Sequence, residues 1–188
     1  MYYHGSPVGD IEFLRPYETT FRKGDEAHVY LTSNKAHATL YAAKCHMYHY
    51  GFDKDTGLPK YTEPYEGCLK EFYAGKSGYL YSIEESNSIA PLEGIKYAFH
   101  AKESVRVKSV EYIEDVYRKL LEYEEQGEII IVQFKDISDR VREKNHKWIT
   151  EVLDLDEVYS STEDYPMFLK ARFPEAWQEV CNNRKSKT

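Results

Sequence analysis

Met1-Tyr2-Tyr3-His4-Gly5-Ser6 and Ala27-His28-Val29-Tyr30-Leu31-Thr32-Ser33-Asn34 are two short runs rich in aromatic and β-branched residues, and both break into turn formers. Each predicts a strand that carries one polar aromatic side chain toward its end, His4 in the first and Tyr30 in the second. A helix is expected after the second strand, from about Ser33 to Tyr50 and ending at Gly51. Ser33 or Asn34 can cap it, and Ala36, Leu40, Ala43 and Met47 hold one apolar face at helical spacing. Tyr41, one position past Leu40, would emerge beside that face.

Outward from this pair, the rest of the chain divides by pattern. Ile11-Glu12-Phe13-Leu14 is a short apolar piece, and Tyr17 to Glu26 reads as an exposed loop of the kind that roofs a cleft. Phe52 to Gly67 also reads as loop, punctuated by Asp53, Gly57, Pro59 and Pro64. Lys70 to Tyr73 fits a short helix or a strand equally. Gly78 to Glu84 alternates and predicts a strand. Ile89 to Leu92 reads as loop, and Tyr97 to Ala101 leads to Glu103. Lys102-Glu103-Ser104-Val105-Arg106-Val107 sends an acidic residue into a strand marked by Val105, Val107 and Val110. Ile113, Val116, Tyr117, Leu120 and Leu121 predict an amphipathic helix stopped by Gly127. Ile129 to Phe134 is the most apolar run and is expected to be a buried strand.

Beyond Lys135 the pattern becomes helical. Val141, Trp148, Ile149 and Val152 predict one helix. Phe168 and Leu169, then Phe173 to Val180, predict two more around Pro174 at a first turn. Asn182 to Thr188 is expected to fray as a basic tail. The division is a core over residues 1–135 and a helical extension over residues 136–188 packed on it.

Composition narrows the function classes. The 188 residues carry 32 acidic against 25 basic side chains, a net charge of −7, which disfavours a general electrostatic grip on nucleic acid. The 18 tyrosines suit strand faces and half-open clefts, since each buries a ring and keeps a wet tip. No stretch has the length and apolarity needed to cross a bilayer, and no secretory signal pattern is expected. Cys45, Cys68 and Cys181 lack metal-type pair spacing, which fits a reducing cytoplasm. Cys45-His46-x-x-His49 has no second ligand pair, and Asp53-Lys54-Asp55-Thr56-Gly57 lacks the closing acid of a calcium loop, so no metal is expected.

Tyr3-His4-Gly5-Ser6, Val29-Tyr30-Leu31-Thr32 with Ala36 and Tyr41-Ala42, and the acidic lead-in at Glu103 together resemble the catalytic core of the ADP-ribosyltransferase superfamily. The branch is the one shared by the poly(ADP-ribose) polymerases, diphtheria toxin and the rifampicin ADP-ribosyltransferases. The resemblance covers about the first two-thirds of the chain and keeps the family order of histidine, tyrosine and acid. It implies an α+β fold: a split antiparallel β-sheet with flanking helices, here followed by a C-terminal helical extension. It also implies NAD as substrate, with ADP-ribose passed to an acceptor that the sequence does not identify.

The implied roles follow from the chemistry of NAD cleavage, which develops positive charge on a ribose. The resemblance makes His4, Tyr30 and Glu103 the catalytic set, with Gly5, Ser6, Tyr30 and Tyr41 binding NAD. Tyr30 and Tyr41 would sandwich the nicotinamide, and the Gly5 backbone would meet its carboxamide. His4, helped by Ser6, would bond a ribose hydroxyl, and Glu103 would stabilise the cation. Glu84 or Glu85 is the alternative acid. The family serine between the two tyrosines is Ala38 here, a loss worth about 1 kcal/mol of hydrogen bonding. Two other classes compete: a non-catalytic NAD, ADP-ribose or protein-interaction module on the same fold, and an RNA 2′-phosphotransferase-like enzyme. The latter needs cleft arginines, for which Arg15 and Arg22 are the early candidates.

Overall fold

In the computed structural model residues 1–18 and 26–186 are described, and among them strands come early and helices late. β1 (Tyr2–Ser6), β2 (Phe13–Leu14) and β3 (Val29–Thr32) precede the short helix α1 (Lys35–Thr39). β4 (Tyr50–Phe52), β5 (Pro59–Thr62), α2 (Cys68–Tyr73), β6 (Gly78–Ile83), β7 (Ile89–Pro91) and β8 (Ala98–Ala101) follow. β9 (Val105–Arg106), β10 (Ser109–Ile113), α3 (Val116–Glu125) and β11 (Ile130–Val132) complete the mixed region. The helices α4 (Asp139–Leu153), α5 (Asp156–Tyr159), α6 (Asp164–Arg172) and α7 (Pro174–Lys185) end the chain.

The chain is a mixed α+β protein with mostly antiparallel sheet. Among the described residues a six-stranded sheet runs in the order β10-β6-β1-β3-β8-β7, beside a three-stranded sheet β11-β5-β4 and a ribbon β2-β9. Cross-strand register assigns the faces of the large sheet. Tyr3 pairs with Thr32 and Tyr30 with His100, so Tyr30 and Thr32 share one face while Val29 and Leu31 share the other. Val29 and Leu31 belong to a core with Leu14, Tyr81, Ile83 and Val105. The chain divides into two compact units, residues 1–63 with 67–132, and residues 64–66 with 133–188. The second unit has its own core of Ile149, Leu153, Val158, Leu169, Ala176 and Val180.

Several elements differ from expectation for identifiable reasons. The helix expected over residues 33–50 stops at Thr39, where Tyr41 N–H and Ala42 N–H bond three residues back, to Ala38 and Thr39. The residues that follow are weak helix formers, among them Tyr41, His46, Tyr48 and His49, and Gly51 sits inside β4 instead of ending a helix. The loop expected over residues 52–67 contains a β4–β5 hairpin. Its turn is closed by Asp53 Oδ1, which accepts from the Asp55 and Thr56 N–H groups and the Thr56 hydroxyl, with Gly57 at φ 73°.

β7 replaces an expected loop, and its Pro91 is tolerated because β7 is an edge strand. The strand expected through Val105, Val107 and Val110 is two strands, β9 on β2 and β10 on β6. The apolar run at Ile129 to Phe134 yields only the half-buried β11, because it lies at the edge of a small sheet, parallel to β5. Residues 70–73 fall within α2. α7 continues to Lys185 where a frayed tail was expected, held by Arg184 Nε on Asp154 at 2.6 Å and Nη1 on Asp156 at 2.9 Å. Residues 19–25 of the expected cleft loop, Arg22 with them, lie outside the described residues, as do residues 187–188.

Candidate functional site

The site begins where the large sheet forks. β1 makes five register pairs with β6 but a single one with β3, Tyr3↔Thr32. The two strands therefore part in the direction of Ser6 and Val29. His4 spans the opening through its Nδ1, 3.0 Å from the Tyr30 carbonyl oxygen. A carbonyl only accepts, so Nδ1 carries the proton and donates. Burial pushes the His4 pKa down against the opposing effect of that bond, so the ring is neutral and Nε2 keeps a lone pair. His4 lines a cavity of about 310 Å³ with Ile11, Leu14, Arg15 and Tyr17. Neutral imidazole and guanidinium in one cavity form an acceptor beside a phosphate-type donor.

Gly5 has a packing reason. A Cβ there would lie 1.8 Å from the Ala38 carbonyl oxygen, so only glycine lets the α1 segment press against β1. Gly78 meets the Ala42 carbonyl in the same way at 1.9 Å. The Ser6 hydroxyl is buried and accepts the Val8 N–H at 3.1 Å, which ties down the turn after β1. Asn34 caps α1: its Oδ1 accepts the His37 N–H at 2.7 Å, and its Nδ2 donates to the Glu128 carbonyl at 3.0 Å.

Tyr41 sits one residue past the α1 cap, not on a continuing helix. Its ring stacks on Tyr48 at 4.8 Å and meets Tyr50 edge-on at 5.9 Å, with the two hydroxyls of Tyr41 and Tyr50 hydrogen-bonded. Burial first, and then Tyr50, drive the Tyr41 pKa far upward, so it is a neutral phenol. The rings of Tyr30 and Tyr41 are not in contact. Tyr17, held by paired backbone bonds to His28, meets Tyr30 edge-on at 5.7 Å. Tyr17 also acts electrostatically on Tyr41 and is acted on by Tyr50, which makes it the link between the two tyrosines.

Sequence reasoning missed His37. It is buried, 6 % exposed, with ring centroids 5.0 Å from Tyr50, 5.2 Å from Phe52 and 5.9 Å from Tyr41. Its Nδ1 lies 3.0 Å from Thr32 Oγ1, and its Nε2 is buried without a hydrogen-bond partner. Burial pushes its pKa down to about 4. The available signal was spacing: His37 and Tyr41 are four apart, the interval that sets side chains on one helical face.

Glu103 lies exposed in the bend between β8 and β9. Ala101 pairs with Val29, so Glu103 extends past the same end of β3 toward which the fork opens. The alternative acids are exposed and already paired, Glu84 with Lys108 at 2.5 Å and Glu85 with the Met1 amine at 2.6 Å. These pairings hold both carboxyls below the ordinary range. Away from the fork, His49 Nδ1 is 2.7 Å from the Thr62 carbonyl, and Cys45 lies outside any helix, so the two share no helix face.

No family model, curated protein or solved structure matches this chain. The functional reading therefore stands on the residues themselves.

Proposed function

We propose that the chain is an NAD-dependent ADP-ribosyltransferase of the histidine-tyrosine-glutamate type, with a split-sheet core of that superfamily. The observation that carries the reading is the fork between β1 and β3 bridged by His4. It leaves room between two strands for a flat ring, with Gly5 on one side and Tyr30 on the other. The residues fit the substrate. The free Nε2 of His4 is an acceptor for a ribose hydroxyl, and Arg15 in the same cavity suits the diphosphate. Tyr17, Tyr30 and Tyr41 provide aromatic surface for nicotinamide.

In this reaction the glycosidic carbon–nitrogen bond breaks and its electron pair neutralises the pyridinium nitrogen. Positive charge grows on the ribose, where Glu103 offsets it. The acceptor then bonds to the ribose carbon and gives up a proton. The acceptor class is not assigned. Free thiols at Cys45, Cys68 and Cys181 support a cytoplasmic setting. No helix among the described residues is long and apolar enough to cross a membrane.

Incubation with NAD should release nicotinamide, and Glu103→Gln should slow release by roughly a hundredfold or more. Full activity in Glu103→Gln moves the acid role to Glu84 or Glu85, and no release from the unaltered protein rejects the enzyme. Arg15 beside His4 is the one observation that favours an RNA 2′-phosphotransferase-like reaction. A 2′-phosphorylated oligoribonucleotide assayed beside NAD separates the two.

A further inference from the structure

Buried polar groups in folded proteins are nearly always hydrogen-bonded, and one that is not demands a reason. His37 Nε2 is such a group, enclosed by the rings of Tyr41, Tyr50 and Phe52. The other end of the imidazole is fixed. Thr32 Oγ1 already accepts the Asn34 N–H at 3.1 Å, so its own hydroxyl hydrogen is left to donate to His37 Nδ1. That arrangement puts the imidazole proton on Nε2. His37 thus holds out a neutral N–H donor, and burial keeps it neutral across the physiological range. Thr32 lies two residues from Tyr30 on the same face of β3, and Tyr17 couples Tyr30 to Tyr41 and Tyr50. The orphan donor is therefore part of the fork's aromatic wall. Its sequence neighbour Ala38 cannot donate a side-chain hydrogen bond at all.

We propose that His37 selects the ligand ring at this site, its Nε2–H donating to a carbonyl oxygen carried by that ring, which for NAD is the nicotinamide carboxamide. The inference rests on the NAD reading of the same fork. A site built around one dry donor rejects a ring without an acceptor, because binding such a ring would leave the donor permanently unpaired.

The test compares two probes of similar size by calorimetry on the full chain: nicotinamide and 3-ethylpyridine, which has no carbonyl. The unaltered protein is expected to prefer nicotinamide by on the order of tenfold or more. His37→Phe is expected to erase that preference while still binding 3-ethylpyridine, and retained binding of that probe reports an intact wall. A tenfold preference that survives in His37→Phe overturns the proposal even where NAD is cleaved. Should His37→Phe fail to fold, Thr32→Val keeps the imidazole but removes the hydroxyl that fixes its proton. It is expected to weaken nicotinamide and spare 3-ethylpyridine, and an unchanged ratio overturns the proposal. A protein that neither cleaves NAD nor binds nicotinamide refutes the enzymatic reading first, and this inference with it.

Discussion

Histidine burial at the fork makes the fold sensitive to acid. His4, His37 and His49 all have pKa values held below 6.5 by burial. As the pH falls, the unfolded chain takes up these protons before the folded one does. The stabilisation is complete above 6.5 and is lost as the pH falls toward about 4, where the folded His37 itself protonates. His37 alone accounts for up to roughly 3 kcal/mol over that window. Urea unfolding at about pH 7.5 and about pH 5 should show the loss, and His37→Phe should flatten it; an unchanged slope in that variant would assign the acid sensitivity elsewhere. A second residue-level expectation concerns Gly5. Gly5→Ala forces a Cβ into the Ala38 carbonyl, backbone against backbone, so it should destabilise by about 3 kcal/mol or more. Thermal unfolding measures this, and a normal midpoint would mean that α1 can retreat from β1 without penalty.

At the scale of elements, the shortness of α1 gives its cap unusual weight. Five residues cannot hold a helix by propensity, so Asn34 fixes both the start of α1 and, through the Glu128 carbonyl, the chain after α3. Asn34→Ala should cost about 1–2 kcal/mol, whereas Asn34→Asp should recover the cap but not the Glu128 bond. Denaturant midpoints that rank both variants equally would reduce Asn34 to a surface residue. This cap, the alternating β6 and the amphipathic α3 were legible in the sequence because local pattern and tertiary role agree there. The end of α1 was not legible. Tyr48, Tyr50 and Phe52 gain more by packing around His37 than by extending a helix, and no local signal records that gain. β2, β7 and β9 are two or three residues long, too short to display a period of two. The same distinction runs through the site. His4 and Tyr30 end visible strands, whereas Tyr17 joins them only through its bridge to His28.

For the molecule as a whole, two separate cores predict a separable stability. His4, Tyr30, His37, Tyr41 and Glu103 all belong to the first unit, and both tryptophans, Trp148 and Trp177, belong to the second. Tryptophan fluorescence therefore reports the helical unit, and nicotinamide release would report the forked sheet. Leu169 is fully buried in the helical core with Ile149 and Leu153. Leu169→Ala should remove about 2–5 kcal/mol and lower the fluorescence midpoint by at least about 8 °C. The temperature at which release fails, and the KM for NAD below it, should stay where they are. Val29→Ala, cut into the core beneath the fork, should do the reverse. If Leu169→Ala moves both midpoints together, the units melt as one cooperative body, and the helices after Val132 are part of what holds the fork open.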